Sequence, residues 1–302
     1  LSRGLNEKGL GSLGTILAYM FAVFCIFASL GGGNMFQVNQ SLDLLIYVTG
    51  GSGSFLDLHS WVYGAVIAFL VGLVIIGGIK RIGSVTSKLV PSMAIIYLVS
   101  SLIIIFSNFN QIPSAFSSII LGAFSPEGVT GGFMGVLILG FRRAVFSNEA
   151  GIGSAPIAHS AVKTSNPTTE GLVSLLEPFV DTVVICTLTA LVIITTGVYT
   201  SGQGIEGARL TSQAFGSVMP SFPYLLALVA TLFAFSTMIS WSYYGVKAVT
   251  FIFGESRNIE VIYKVIFCLF AIIGSSLDLL KVIELSDAAL FLMAIPNLIG
   301  VY

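Results

Sequence analysis

Eight long apolar runs divide this 302-residue chain, at roughly 14–46, 61–79, 90–109, 130–161, 171–197, 221–253, 262–280 and 284–302. The hydrocarbon core of a bilayer asks for about 20 apolar residues per helix, and for more when the helix is tilted. Each run is long enough, or nearly so, to cross it once. Inside lipid the backbone must satisfy its own hydrogen bonds, which leaves helices as the spanning element for runs of this length. Composition agrees: 55% of residues are hydrophobic, 9% are charged and the mean hydropathy is +0.98, too little polar surface to dissolve a globule. The expected fold is therefore all-α and integral to the membrane. It forms a single membrane domain over residues 1–302 with about eight transmembrane helices.

The breaks between runs are turn-like. They include Thr49-Gly50-Gly51-Ser52-Gly53, Gly77-Gly78, Ser125-Pro126-Glu127-Gly128 and Ser165-Asn166-Pro167. The net charge is −1, and the charged residues sit mostly between the runs, so no nucleic-acid face and no polyacidic tail is available. With a cytoplasmic amino end, one side of the membrane collects Arg3, Lys8, Lys80, Arg81, Lys88, Lys163, Lys247, Arg257 and Lys264, and the other only Arg209 and Lys281. The positive-inside rule selects that orientation, in a cell membrane. Cys25, Cys186 and Cys268 lie far apart in apolar stretches and read as small buried hydrophobes rather than as a disulfide or metal site. The chain opens in a polar stretch, Ser2 to Lys8, that reads as an internal loop of something longer; a fragment is expected.

The first and sixth runs both exceed what a bilayer requires, and each is followed by two further runs. Their starts are 14, 61, 90 and 221, 262, 284, with five crossings between the sets. The second set then lies upside down relative to the first, as in an inverted-topology transporter repeat.

The fourth run begins as an ordinary helix over 132–140 and then meets FRRAVFSNEAGIGSAP, residues 141–156. Gly151 and Gly153 each disfavour a helix by about 1 kcal/mol, and Pro156 removes a donor. A discontinuous helix lining a cavity accounts for this composition. Freed amides of its second half could hold a carboxylate and freed carbonyls of its first half a cation or ammonium, which is what an amino-acid zwitterion needs. The competing reading ends the helix near Arg143 and makes 144–156 a cytoplasmic loop, with Arg142, Arg143 and Glu149 as gate or interface charges.

Three further features stand at membrane depth. Asn34, Gln37, Gln40 and Ser41 form a polar stripe, either a solute-lining face or a hydrogen-bonded helix seam. The sixth run carries Ser236, Thr237, Ser240 and Trp241; its hydroxyls suit a dehydrated sodium ion, or simply bond back to the preceding turn. Glu177 and Asp181 lie in the fifth run, where an acid is a functional candidate by default, paired with a cation or with Arg142 or Arg143, or else is a protonated structural acid. His59 and His159 have no metal-ligand or nucleophile partner at suitable spacing and read as packing residues; no catalytic constellation and no phosphate loop is present, so an enzyme is not expected.

The stretches FSNEAGIGSAPIAHSAVKTSNPTTEGLV (146–173), FVDTVVICT (179–187), FAFSTMISWSYYG (233–245), IIGGIKRI (75–82) and NMFQVNQS (34–41) together resemble the alanine or glycine:cation symporter family across nearly the whole chain. The resemblance implies a leucine-transporter-like bundle of two inverted five-helix repeats, here with the amino-terminal helices missing. It also implies sodium as co-transported ion and a small neutral amino acid such as alanine or glycine as solute. Carried over residue by residue, it puts Gln37, Asn39, Phe146, Ser147, Asn148 and Gly151 beside the solute. It puts Ser236 and Thr237 nearest the sodium, with Trp241 limiting side-chain size. The expected activity is sodium-coupled symport by alternating access. The alternatives are a proton-coupled carrier, since Glu149, Glu177 and Asp181 could titrate at depth, and a passive channel, which the single unrepeated motifs disfavour.

Overall fold

A computed structural model describes residues 1–124, 132–200 and 207–302. Every regular element among the described residues is helical: a short amino-terminal helix, Ser2–Glu7, precedes the principal helices α1 (Gly11–Val48), α2 (Ser60–Ile75), α3 (Gly78–Ser107), α4 (Ile112–Phe124), α5 (Gly132–Asn148), α6 (Ala155–His159), α7 (Pro167–Thr196), α8 (Ala208–Val218), α9 (Phe222–Phe253), α10 (Arg257–Ser275) and α11 (Leu279–Val301). Six of these, α1, α3, α7, α9, α10 and α11, are long and apolar enough to cross a membrane. The other two expected crossings fall on shorter helices, α2 and α5. The turn expected at residues 125–128 lies outside the described residues.

Two boundaries differ from the sequence reading. The third run starts at Gly78 rather than near 90, because Pro91 sits inside α3 without ending it and Lys80, Arg81 and Lys88 stand exposed on its first turns. The fourth run divides: α5 ends at Asn148, and only five residues, Ala155–His159, form its second half. Glu149 (φ 58°), Gly151 (φ 83°) and Gly153 (φ 92°) all adopt the left-handed region between them.

α9 is the axis of the bundle. Its Met238, Ile239, Val246 and Val249 pack with Val38 and Leu42 of α1, Val71 of α2 and Phe267 of α10. Its first turns, with Phe222, Leu226 and Val229, pack with Met93 and Tyr97 of α3, Leu191 and Val192 of α7, and Phe215 of α8. Trp241 and Ala248 face Ala22 and Cys25 of α1, Ile152 of the break, and Leu290 and Met293 of α11. Large apolar side chains such as Phe69, Ile76, Phe106 and Leu228 remain on the outer surface, as expected of groups that face lipid.

Close approach depends on glycine. A Cβ on Gly33 would fall 2.3 Å from Cγ of Trp241, and one on Gly274 would fall 2.6 Å from Cα of Met35. Around Gly31–Met35 the turns of α1 widen by one residue, and the Gln37 side-chain amide donates to Gly32 O at 3.0 Å. Outside this crossing, α8 is tied to α1 by a two-pronged ion pair, Arg209 Nε donating to Asp43 Oδ2 at 2.8 Å and Arg209 Nη2 to Oδ1.

Overpacking the α1–α9 crossing should destabilise the bundle. Gly33→Val is expected to lose about 1–3 kcal/mol, whereas Gly140→Val, where a Cβ meets nothing within 4 Å, should be close to neutral. Thermal unfolding in detergent reads both, and equal midpoints for the two variants would contradict the close crossing.

Candidate functional site

Where α5 ends, six helices border a cavity of about 320 Å³. Its walls differ in character. Gln37, Gln40 and Ser41 of α1, Ser147 of α5, and Asp181 and Cys186 of α7 supply polar atoms, while Leu226, Val229, Ala230, Phe233 and Ala234 present one apolar face of α9. Ala208, the first residue of α8, closes one end. A larger recess of about 750 Å³ lies over residues 2–15, but it is an open surface hollow between the helix Ser2–Glu7 and the start of α1. The cavity at the break gathers side chains from α1, α3, α5, α7, α8 and α9, and so we take it as the site.

Its polar wall is held by hydrogen bonds. The Ser147 hydroxyl donates to Asp181 Oδ2 at 2.6 Å and the Thr182 hydroxyl to the same oxygen at 3.1 Å. Asn148 Nδ2 donates to Thr182 Oγ1 at 2.8 Å, and Asn148 Oδ1 accepts from the Ala150 amide at 2.9 Å. The partners lie on Phe179–Cys186, a stretch of α7 with widened turns like those of α1. Among the described residues no Lys, Arg or His forms an ion pair with Asp181. On the facing wall the Gln40 Nε2 donor is buried without a partner, and the Ser41 hydroxyl donates to Gln37 O at 2.8 Å while accepting from Tyr63 at 2.9 Å.

The break itself is packed within the bundle. Ile152 and Ser154 are fully buried. Asn297 of α11 donates to Gly151 O at 2.9 Å, and a Cβ on Gly153 would fall 2.7 Å from the Phe21 ring. Trp241 Nε1 donates to Glu149 Oε1 at 2.8 Å, and the Ser154 hydroxyl donates to Glu149 Oε2. A left-handed backbone at Glu149 costs about 1–2 kcal/mol, which these contacts offset.

The residues singled out in the sequence divide into groups. Gln37 and Ser147 reach the cavity. Phe146 stands edge-on to Phe36 at 4.8 Å with the Arg143 guanidinium 5.6 Å from its ring, and Asn148 and Gly151 form the joint just described. Asn39 turns to α10 instead, donating to Gly274 O at 3.2 Å and Leu277 O at 2.8 Å, and Asn34 does likewise to Phe267 O at 2.6 Å. The polar stripe of α1 is thus both a seam and a lining. Ser236 donates to Phe233 O at 2.8 Å and Ser240 to Ser236 O at 3.0 Å, with Thr237 half-buried beside them. Trp241 is 3% exposed and lies outside the cavity lining. His159 bridges two acids, its Nδ1 2.5 Å from Glu170 and its Nε2 3.1 Å from Glu177.

Arg142 and Arg143 find neither Asp181 nor Glu177. Both bond Asp287 Oδ2 on α11, at 2.7 and 2.5 Å. The sequence reading passed over Asp287, although an acid inside the apolar run 284–302, one turn in from Glu284, was the signal for it. It also passed over Tyr97 and Cys186, apolar-run residues whose cavity positions follow only from how the helices are rotated.

With this geometry in hand, comparison with known proteins is informative. The sequence profile described as Sodium:alanine symporter family matches residues 1–302. The sodium/alanine symporter AgcS of Methanococcus maripaludis is 39% identical over 303 residues, covering 99% of this chain and 64% of that protein. The amino-acid carrier protein AlsT of Bacillus subtilis is 32% identical over 295 residues, covering 97% of this chain and 61% of that protein. The chain spans a little under two thirds of the length of these relatives.

The charge cluster yields an asymmetric expectation. Removing both arginines, Arg142→Gln with Arg143→Gln, strands an Asp287 side chain that is 5% exposed and should lower stability by about 3 kcal/mol. Asp287→Asn frees two guanidiniums that are 46% and 44% exposed, which can turn outward, and should cost about 1 kcal/mol. Detergent unfolding midpoints falling in the opposite order would refute the assignment.

Proposed function

This chain belongs to the sodium:alanine symporter family, and from that premise we propose that it acts as a sodium-coupled carrier of small neutral amino acids in a cell membrane. The family's members are transporters and not enzymes. The observation that carries the proposal is the two-sided cavity at a broken helix. An amino-acid zwitterion requires an acceptor for its ammonium and donors for its carboxylate. Asp181 and the Ser147 oxygen answer the first, and the unpartnered Gln40 amide answers the second. The α9 face with Phe233 and Ala230 receives an apolar side chain. Gln37 borders the same space, and Asn148 and Gly151 shape it by holding the break.

Sodium is assigned to the neighbourhood of Ser236 and Thr237. The Ser236 hydroxyl already donates to a helix carbonyl, which leaves its oxygen lone pairs directed away from that bond and available to a hard cation. In the transport cycle, sodium and solute stabilise one arrangement of the bundle, and rocking of one set of helices against the other moves the opening to the opposite side. The moving sets are the two inverted halves read from the run spacing, one containing α1, α2 and α3 and the other α9, α10 and α11. The amino end lies in the cytoplasm on this reading, as charge placement requires.

One observation supports a second coupling ion. Asp181 borders the cavity with hydroxyl partners and, among the described residues, no basic one, so this acid could carry a coupled proton in place of the sodium assigned to Ser236 and Thr237.

Uptake of labelled alanine into proteoliposomes carrying the full-length protein, with sodium and pH gradients imposed separately, decides between them. Accumulation driven by an inward sodium gradient at equal pH is expected. Uptake that follows the pH gradient and ignores sodium would overturn the sodium assignment. Gln40→Leu should raise the half-saturating alanine concentration about tenfold, the loss expected for one hydrogen bond to a charged group.

A further inference from the structure

Glu149 is the one non-glycine residue among those described with a left-handed backbone, and it sits in the break between α5 and α6. Conformations of this kind persist where the surroundings over-determine them and tend to mark functional joints. Its carboxylate accepts from Trp241 and from Ser154, both buried, and no Lys, Arg or His forms an ion pair with it among the described residues. A group kept there for its charge would be expected to have a counter-charge. Two neutral donors on two different elements instead describe a strap.

What the strap connects is visible from its ends. Two residues before Glu149 in the chain, Ser147 enters the cavity and bonds Asp181. At the other end Trp241 is seated on Gly33, where any Cβ would fall 2.3 Å from the indole. The carbonyl one residue earlier, Gly32 O, accepts from the side chain of Gln37, which borders the same cavity. The circuit closes: Ser147, Glu149, Trp241, the Gly32–Gly33 turn, Gln37, and back across the cavity.

We propose that Glu149 is a positioning residue which, through Trp241, fixes the placement of Ser147 on α5 relative to Gln37 on α1 and so sets the affinity of the cavity for its solute. The role is geometric. A glutamine at this position keeps an oxygen to accept from the indole and an amide to donate to Ser154, and so preserves the strap without the charge. Alanine removes it, and Trp241→Phe removes the indole donor alone.

The inference rests on the transport reading for its solute, so its test carries a second readout that needs no solute. Cys186 borders the cavity with its sulfur 3.6 Å from Ser147 Oγ, and its reaction rate with a small methanethiosulfonate reagent reports where Ser147 lies. In full-length protein with Cys25 and Cys268 replaced by alanine, Glu149→Ala and Trp241→Phe are expected to change that rate at least fivefold. In proteoliposomes both should raise the half-saturating alanine concentration about tenfold while maximal uptake stays within about threefold. Glu149→Gln should restore both quantities to within about twofold of the parent. A glutamine variant as impaired as the alanine one, or an alanine variant indistinguishable from the parent, would overturn the proposal. If Glu149→Ala fails to fold, Trp241→Phe and Glu149→Gln decide alone. A parent protein that carries no alanine, but whose thiol rates follow the expected order, would reject the transport reading and leave the strap standing.

Discussion

The crossing of α1 and α9 governs the rest of the bundle. Both helices are far longer than a bilayer requires, 38 and 32 residues, and they touch where α1 has three consecutive glycines and α9 has a tryptophan. Gly33, without a side chain, lets Trp241 of α9 seat directly on α1, while Gly31 and Gly32 give the same close approach to Ser286 and Leu290 of α11; the gain is dispersion contact rather than hydrophobic drive, since lipid is as apolar as the interior. At the same place the turns of α1 widen, and a side-chain donor reaches a backbone carbonyl there. Gln37 is that donor, and it stands beside the cavity.

Polar groups in this interior therefore perform two tasks at once. Asn34 and Asn39 fasten α1 to carbonyls of α10, while Gln37, Gln40 and Ser41 from adjoining positions line open space. At the break, Asn148 and Asn297 satisfy backbone groups that a continuous helix would have satisfied internally, and Ser147 is left to face the cavity. The formal charges are drawn to different places. Asp287 gathers both arginines of α5 on one oxygen, keeping its other oxygen buried without a partner, and Asp43 holds α8 across the end of the cavity. Asp181, which borders the cavity, has no basic partner among the described residues.

Much of this was legible in the sequence. Long apolar runs announce helices because no other element of that length satisfies its backbone in lipid, and the double glycine and proline after Asn148 announce a break because they tolerate or impose non-helical backbone. The helix boundaries were less legible. Pro91 did not end α3, since a proline in a long membrane helix can be absorbed by its neighbours, and the second half of the fourth run is five residues rather than a full half-helix because 160–166 is polar and carries Pro167 at its end. The partners of ionisable groups were not legible at all. Arg142 and Arg143 could be matched to several acids on the chain, and only the rotation of α11 chose Asp287.

Amino-acid order alone determined that the chain is a bundle of apolar helices, where one of them must break, and to which family the motifs point, because each of these depends on residues close together in the chain. Tertiary structure decided which polar side chains meet. Trp241 is a case in point: nothing near it in the sequence indicates that its indole donates to Glu149, 92 positions away. Local sequence sets backbone preference, whereas the facing of a side chain depends on how several helices share one close-packed interior.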